Sequence, residues 1–422
     1  MRLIYTLILI VSVNCMYAQV PDRIYSPSIR NVKLHYEGNQ LSYPIIKLNG
    51  GDRLELHFDD LGGGVRNYSY TYVLCNADWS PAILSSFDYI RGFSQMRIRD
   101  YRNSSISIIK YTHYSAVLPD RSCAPSRSGN YLVKVFADGD PAKVLFTRRL
   151  LVMEEKATVG AVIQQPFNGQ IFKTHQKIQF KVNLANNLNV LNAIQQVKAV
   201  VLQNNRWDNA VLDIKPTFIR QNALEYNRDD ESVFPSGREW RWLDLRSFRL
   251  QTDRVADTKM TATGIDVFVK PDLDRSPQRL VFYRDENGMY VNEVSESVNP
   301  LWQADYANVH FSFVPAGNQP HINKDIYVFG ELTNYGLDES SKMTYNAEKG
   351  IYEATILLKQ GYYNYCYVSA DRTNPKPSFE LTEGNLWETE NSYTILIYYR
   401  ALGGRADELI GVSRINSLTG RN

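Results

Sequence analysis

Two pairs of carboxylates have a spacing that could bind a cation. Asp138 and Asp140 flank a glycine, and Asp272 and Asp274 flank a leucine. Carboxylate oxygens suit calcium, but neither pair continues into the run of oxygen donors that a calcium-binding loop requires. Turn chemistry explains the first pair, and a solvated surface explains the second. The acidic run at residues 229–231 is interpreted as a solvated loop.

The histidines do not form a metal-ligand motif. The chain contains His35, His57, His113, His175, His310 and His321. No two of them have the spacing that places both on one helix face, as in a zinc protease. The sequence also lacks a phosphate-binding loop and a Gly-x-Ser-x-Gly nucleophile elbow. We therefore predict no catalytic, cofactor-binding or metal-binding residues and a protein that is not an enzyme. An enzyme whose site is built from residues distant in sequence is the open alternative.

Two further features could bind a ligand through aromatic rings or backbone groups. Tyr362, Tyr363, Tyr365 and Tyr367 form a stretch that could stack on sugar rings. A strand explains the same pattern, because tyrosine is common on pleated, half-buried surfaces. The glycines at residues 62–64 could cradle an anion with their N–H groups, but no helix follows them. A hairpin tip is the better interpretation of these glycines.

The elements around these residues are predicted to be strands. The chain has 28 Tyr and 17 Phe, and apolar and polar residues alternate in many short runs. Residues 32–36 and 54–58 place apolar side chains on one face and Lys33, His35, Glu55 and His57 on the other. No segment shows a long apolar pattern with helical spacing. The sequence therefore predicts an all-β protein.

One hairpin near the end of the first segment indicates the type of sandwich. Residues 129–136 and 144–152 alternate with period two around the Asp138-Gly139 turn. Tyr131 opens the first of these strands, as in the tyrosine corner of immunoglobulin-like sandwiches. We predict an immunoglobulin-like fold for this segment.

The length of the chain fits about three domains of 100–150 residues. The predicted division of the 422 residues is a signal peptide at 1–18, an immunoglobulin-like domain at 19–155, a middle β-sandwich at 156–300 and a C-terminal sandwich at 301–422. The expected architecture is therefore three tandem β-sandwich domains.

The N-terminus predicts export. Met1 and Arg2 precede an apolar run at residues 3–13, and Ala18 precedes Gln19. A charged start, a short apolar run and a small residue describe a secretory signal peptide. The run is shorter than the roughly 20 residues that span a bilayer. Cleavage is expected after Ala18.

Later apolar stretches are short and broken by polar residues, so the mature chain is expected to be soluble. The formal net charge of +2 argues against a nucleic-acid partner, which requires a clustered basic face.

Three cysteines remain after signal-peptide removal. Cys15 lies in the predicted signal peptide, where a lipid anchor is a less favoured alternative to simple cleavage. Cys75, Cys123 and Cys366 follow. If one disulfide forms, Cys75 with Cys123 is the pair within one domain, and closing that loop could stabilise the fold by roughly 4 kcal/mol. Three buried thiols acting as small apolar side chains are the preferred interpretation.

Several long and unusual runs resemble one family. They occur at residues 70–79 (YTYVLCNADW), 111–114 (YTHY) with Leu118-Pro119, 299–306 (NPLWQADY), 382–391 (TEGNLWETEN) and 403–411 (GGRADELIG). Together they resemble the plug proteins of the type IX secretion system of Bacteroidota, in order along nearly the whole mature chain. The resemblance implies an immunoglobulin-like first domain. It also implies a periplasmic protein that docks on the outer-membrane translocon barrel and seals its periplasmic opening when idle. No catalytic residues are carried over from the family.

The C-terminal segment also resembles early-set sandwiches that bind glucans. Residues 329–335 (FGELTNY) lie where those modules carry a Gly-x-Phe-Asn-x-Trp-type run, but Tyr335 stands in place of the tryptophan. The alternative function is therefore a periplasmic or surface glycan-binding protein that uses this sandwich, with Tyr335 and Trp387 as the residues to test. A small-molecule ligand and a cofactor are not expected.

Overall fold

The computed structural model of the chain describes residues 20–421. Strands account for 46% of the chain and helices for 4%, and no helix in this range reaches seven residues. The all-β prediction is confirmed. Between residues 20 and 421 no helix has the length and apolar character needed to cross a membrane. The predicted signal peptide and Cys15 lie outside the described residues.

The first sandwich occupies residues 29–153. Its strands are β1 (Ile29–Tyr36), β2 (Ile45–Lys47), β3 (Leu54–Asp60), β4 (Tyr68–Cys75), β5 (Ile90–Gly92), β6 (Met96–Ile98), β7 (Asp100–Asn103), β8 (Thr112–Leu118), β9 (Cys123–Pro125), β10 (Gly129–Ala137) and β11 (Val144–Met153). One sheet has the order β1-β3-β8-β7 and the other the order β2-β11-β10-β4-β6, while β5 and β9 form a separate ribbon. A short 3-10 helix lies at Ser86–Asp88.

This strand order is that of an immunoglobulin-like sandwich. The first sheet corresponds to strands A-B-E-D, and the second to A′-G-F-C-C′. The predicted hairpin is confirmed as β10 and β11, which pair antiparallel. The hydroxyl of Tyr131 donates to the carbonyl of Arg127 at 2.9 Å, which is the predicted tyrosine corner. Alternating apolar residues such as Leu56, Phe58 and Val133 fill the space between the sheets.

The middle sandwich begins directly after the first. Its strands are β12 (Ala157–Gln164), β13 (His175–Leu184), β14 (Val197–Gln203), β15 (Val211–Ile214), β16 (Phe218–Arg220), β17 (Ala223–Tyr226) and β18 (Val233–Pro235). A four-residue helix, α1 (Ala193–Gln196), precedes β14. β12, β13, β17 and β16 form one sheet, with β18 paired to β13.

The third sandwich comes next in the chain, before the last strands of the middle sandwich. Its strands are β19 (Arg241–Asp244), β20 (Val255–Met260), β21 (Ile265–Val269), β22 (Asp272–Leu273), β23 (Tyr290–Val291), β24 (Tyr306–Val314), β25 (Lys324–Phe329), β26 (Thr344–Asn346), β27 (Ile351–Lys359) and β28 (Tyr362–Asp371). Its short helices are α2 (Pro300–Gln303) and the 3-10 turns Ala316–Asn318 and Glu331–Thr333. β28 pairs with β19, β23 and β25, and β24 pairs with β21, β22 and β27.

The chain then returns to the middle sandwich with β29 (Ser392–Tyr399) and β30 (Glu408–Asn416). β29 pairs antiparallel with β14, and β30 pairs with β29. Ile395 and Ile397 pack with Ile178 and Phe180 of the facing sheet in one apolar core. The sequence prediction placed residues 301–422 in one C-terminal sandwich, but the last two strands complete the middle sandwich. The third sandwich is thus an insertion, and the three sandwiches are not strictly tandem.

The three cysteines of the described chain are free and buried. The preferred prediction of buried thiols is confirmed for Cys75, Cys123 and Cys366. Burial raises the pKa of Cys123 to about 11 and that of Cys75 to about 12. These thiols therefore act as small apolar side chains within the cores.

The first sandwich contacts its two neighbours through faces of different character. Its contact with the middle sandwich is apolar, where Leu132 and Leu151 pack with Val200, Leu202 and Leu396. Its contact with the third sandwich uses the outer, polar face of the β1-β3-β8 sheet.

Ion pairs hold this polar contact together. Lys33 lies 2.9 Å from Glu331, and Lys359 lies 2.6 Å from Asp59. Three of these four side chains are almost fully buried. Alternation places these polar residues outside the apolar core of the first sandwich. They therefore lie in a second, polar interior at the contact with the third sandwich.

Candidate functional site

One edge of the first sandwich exposes large apolar side chains. Ile83 is 84% exposed, Phe87 83%, Phe93 67% and Tyr101 47%. They lie in the segment from the end of β4 to β7. Exposed apolar side chains grouped in one segment are more informative than scattered ones, because they mark interaction sites.

Arginines accompany these side chains along the same edge. Arg91, Arg97, Arg99 and Arg102 are exposed. In the described part of the chain no carboxylate lies within 4.0 Å of their guanidinium groups. We call the four apolar side chains and these four arginines the aromatic–arginine edge.

The strand order explains why Arg97, Tyr101 and Arg102 lie at an edge. Ile83, Phe87, Arg91 and Phe93 lie in the segment that leads to it. β6 is the last strand of one sheet and β7 is the last strand of the other, and only Arg99 separates them. All four residues of β7 are exposed. Charged side chains on edge strands also prevent sheet-to-sheet aggregation, which accounts for arginines but not for exposed phenylalanines.

The loop that carries the phenylalanines is held in a defined conformation. Gly92 has a φ of +90°, and a Cβ at this position would lie 2.2 Å from the carbonyl oxygen of Ser122. The N–H of Phe93 donates to that same oxygen at 2.7 Å. Asp88 lies 3.8 Å from Arg405, which belongs to the β29–β30 loop. The edge is therefore presented by a fixed backbone with support from the middle sandwich.

A second candidate site lies on the polar face of the first sandwich, where three histidines form a column. The rings of His35 and His57 are stacked with centroids 5.4 Å apart, and those of His57 and His113 are stacked at 5.2 Å. These residues have no helical spacing in the sequence, because they meet across strands. His35 lies directly opposite Glu55 in the β1–β3 register.

A chain of hydrogen bonds runs along this column. Nδ1 of His57 lies 3.1 Å from Nε2 of His113, and Nδ1 of His113 lies 2.6 Å from Asp59. Asp59 is also paired with Lys359. Burial raises the pKa of Asp59, but Lys359 and His113 outweigh burial and hold it below its usual value. Burial lowers the pKa of His113, against the opposing effect of Asp59.

The open end of the column is the one place in the described residues where three possible metal ligands converge. One ligand atom from each of His35, Glu55 and His57 lies within 4.8 Å of the other two. Burial lowers the pKa of His35 to about 4, and contact with His57 lowers that of Glu55 to about 2. At neutral pH His35 is therefore neutral and Glu55 is ionised.

The carboxylate pairs singled out in the sequence have different environments. Asp138 and Gly139 have positive φ values between β10 and β11, which confirms the turn. Asp272 was interpreted as solvated surface, and this was wrong: it is buried and lies 3.1 Å from Arg241. Asp272 accepts hydrogen bonds from the hydroxyl groups of Tyr365 at 2.7 Å and Tyr367 at 2.8 Å. The reason is that β22 pairs with β24 inside the third sandwich.

The remaining motifs are structural. The glycines at residues 62–64 connect β3 and β4, which belong to different sheets, so they form a crossing loop and not the hairpin tip that was predicted. Tyr363, Tyr365 and Tyr367 are buried in the core of the third sandwich. Tyr335 packs edge-on against Phe329. None of these four tyrosines offers the exposed ring that sugar stacking requires.

A fold of packed β-sandwiches with an exposed aromatic and basic edge is typical of a protein that binds another macromolecule. The first domain of type 9 secretion system plug proteins matches residues 29–154, which span the first sandwich. The crystal structure of a hypothetical protein from Parabacteroides merdae is similar over 94% of this chain and 99% of that chain, with 32% identity and a TM-score of 0.89. No sequence among the curated proteins matches the chain. The first sandwich of this chain is therefore a first domain of the type 9 secretion system plug family.

Proposed function

We propose that this protein is periplasmic and docks on the outer-membrane translocon of type IX secretion through its aromatic–arginine edge. In this role it seals the periplasmic opening of the translocon when no substrate is passing. The proposal rests on the position of the edge within the family match. The plug-family match covers residues 29–154, and the whole edge lies within that range.

The composition of the edge suits a protein interface. Aromatic residues and arginine dominate the energetic hot spots of such interfaces, because they bury large areas and form several hydrogen bonds. Arginines without carboxylate partners favour an acidic surface on the translocon. A contact of roughly 1,600 Å² can still dissociate, since buried area alone does not set affinity. A removable seal requires such a contact.

The test removes two exposed rings and measures both binding and sealing. Phe87→Ala with Phe93→Ala leaves the cores of the sandwiches intact, because both side chains project into solvent. We expect at least about a tenfold loss of translocon recovery in pull-downs from native outer membranes, consistent with losing two hot-spot residues. Cells carrying this variant should take up a bulky antibiotic or dye that the wild type excludes.

Phe218→Ala is the matched control. Phe218 is 56% exposed on β16 of the middle sandwich and lies outside the plug-family match. This variant should bind and seal like the wild type. Unchanged recovery of the translocon by the double variant, with unchanged dye uptake, would contradict docking through the edge. A gene deletion that leaves permeability unchanged would contradict the sealing role itself.

A further inference from the structure

We propose that His35, Glu55 and His57 bind one divalent transition-metal ion of the zinc type. This site departs from the sequence prediction of no metal-binding residues, and it does not depend on the docking proposal. It lies at the open end of the histidine column, on the polar face of β1 and β3.

The donor atoms of the three residues lie close to one another. Nε2 of His57 lies 3.6 Å from Oε2 of Glu55, and one ring nitrogen of His35 lies within 4.8 Å of the ligand atoms of both residues. Two donors that share a tetrahedral zinc ion at about 2.0–2.1 Å are themselves about 3.3 Å apart. Small side-chain adjustments would therefore bring the three ligands to bonding distance.

The hydrogen bonds of the column determine the direction of the histidine lone pairs. His113 donates from Nδ1 to Asp59, so Nε2 of a neutral His113 is an acceptor. His57 donates to that acceptor from Nδ1, which leaves the lone pair of a neutral His57 on Nε2. This lone pair faces the carboxylate of Glu55, and the contact is stable only with a positive charge between the two atoms, which a proton or a metal ion can supply.

His35 has the same arrangement. Its Nδ1 lies 2.8 Å from the backbone carbonyl of Tyr36, which can only accept, so the lone pair of the neutral ring is on Nε2. Metal-bound histidines usually donate their second N–H to a carbonyl or a carboxylate, which fixes the ring and its tautomer. Both histidines have this outer-shell partner, directly for His35 and through His113 and Asp59 for His57.

The site is accessible to an ion. A cavity of about 230 Å³ is lined by the three ligands, by Gly38 and Gln40, and by residues 298–302 before and within α2. The side chain of Glu55 is 27% exposed. The cavity leaves room for a water molecule as the fourth ligand of a tetrahedral ion.

The donor set selects the class of metal. Two imidazole nitrogens and one carboxylate suit zinc, copper or nickel, whereas calcium and magnesium require mostly oxygen ligands. Lys33 lies on the same face of β1, but its ammonium group is bonded to Glu331 and to the carbonyl of Tyr290. Its charge is therefore partly neutralised within that cluster.

The test is titration of the untagged protein with ZnCl₂ by isothermal calorimetry, with metal content measured by mass spectrometry after dialysis. The wild type should bind one zinc ion per chain. His57→Ala and Glu55→Gln should each weaken binding by at least about 100-fold, since loss of an outer-shell partner alone costs about 10–100-fold. Cobalt in place of zinc should give a visible absorption band that both variants lose.

His310→Ala is the matched control, because His310 also contacts a carboxylate, Asp266 at 2.8 Å, but has no second histidine beside it. It should bind zinc like the wild type. Circular dichroism of each variant without metal separates loss of a ligand from loss of the fold. A wild type that binds zinc no more tightly than a His35→Ala, His57→Ala double variant would overturn the proposal. A proton on His57, and not a metal ion, would then bridge the pair.

Discussion

Two regions of the molecule bury charged side chains, and they differ in completeness. In the third sandwich, Arg241 contacts Asp272 and makes two hydrogen bonds to Glu383, at 2.9 and 3.0 Å. Arg275 reaches Glu383 at 2.6 Å. On the first sandwich, by contrast, the column that begins at Asp59 ends in an imidazole that faces a carboxylate.

Completeness of the hydrogen bonds distinguishes a structural cluster from one that can accept a ligand. Around Arg241 every carboxylate oxygen has a donor, so the cluster is closed and fixes the packing of β19 against β28. His57 has a hydrogen-bond partner at Nδ1, which is His113, but its Nε2 faces the carboxylate of Glu55. A buried polar network is stable when every group is satisfied, and a gap in it marks a place for a missing partner.

The largest expected effect comes from removing Arg241, the cation at the centre of the closed cluster. Arg241→Ala leaves Glu383 and Asp272 buried with too little positive charge, so we expect a loss of about 3–5 kcal/mol in the free energy of unfolding. Denaturant unfolding measures this loss. Arg246→Ala is the control, because Arg246 is partly exposed and pairs with Asp244 on the surface; its loss should stay within about 1 kcal/mol. Equal losses in the two variants would contradict the comparison.

A second prediction concerns Asp285, a half-buried carboxylate without a cation partner. Burial raises the pKa of Asp285 to about 7, from a usual value of about 3.9. The folded state holds the proton of Asp285 more tightly, so the contribution of this group to stability is greatest below about pH 4 and falls as the pH rises to 7. At about 1.4 kcal/mol per pKa unit, the change is on the order of 4 kcal/mol.

Asp285→Asn should remove this contribution to the pH dependence, because an amide does not titrate, while its oxygen can still accept from the N–H of Asn287. Unfolding measured at intervals between pH 4 and 8 tests it. A variant with the same slope as the wild type would show that Asp285 is ionised in the folded state throughout.

A third prediction concerns the incomplete cluster. Zinc at a hundredfold excess over its dissociation constant should stabilise the wild type by about 3 kcal/mol, because it binds the folded state. Glu55→Gln should abolish this gain but change stability without zinc by less than about 1 kcal/mol, since Glu55 is partly exposed. Denaturant curves with zinc and with a chelator give both numbers. A zinc effect of equal size in Glu55→Gln would place the ion elsewhere.

The smallest expected effect compares a partnered with an unpartnered buried hydroxyl. Tyr131→Phe removes the bond to the carbonyl of Arg127 and should cost about 1 kcal/mol. Tyr226→Phe is the control, because its buried hydroxyl has no partner among the described residues. We expect this second change to be neutral or slightly stabilising. The reverse order in thermal unfolding would remove the tyrosine corner as a stabilising contact.

The sequence predicts the strands of the first sandwich well because one face of each strand fills a core. Leu34, Leu56 and Phe58 alternate with polar residues, and a one-residue shift would move them all to the polar face of the sheet. The hairpin of β10 and β11 is local, with a turn that its own residues determine. Two of the runs that carry the family resemblance, at residues 70–79 and 111–119, include β4 and β8 of this sandwich.

Pairing between distant strands could not be predicted in this way. The alternation of Ile395 and Ile397 shows that β29 has a buried face but not which sheet it joins. Only the pairing with β14, almost two hundred residues earlier in the chain, makes that assignment. The histidine column has the same origin, because His35, Glu55 and His113 lie on three strands and meet only through register. Two predicted strands with histidines on their polar faces were the available signal.

The insertion of the third sandwich has a mechanical consequence. Two covalent crossings join it to the middle sandwich, one between β18 and β19 and the other between β28 and β29. A single linker allows one body to swivel about it, whereas two separate attachments resist twisting and transmit force from either side. The middle and third sandwiches joined in this way move as one piece, and a force applied to either is transmitted to the other.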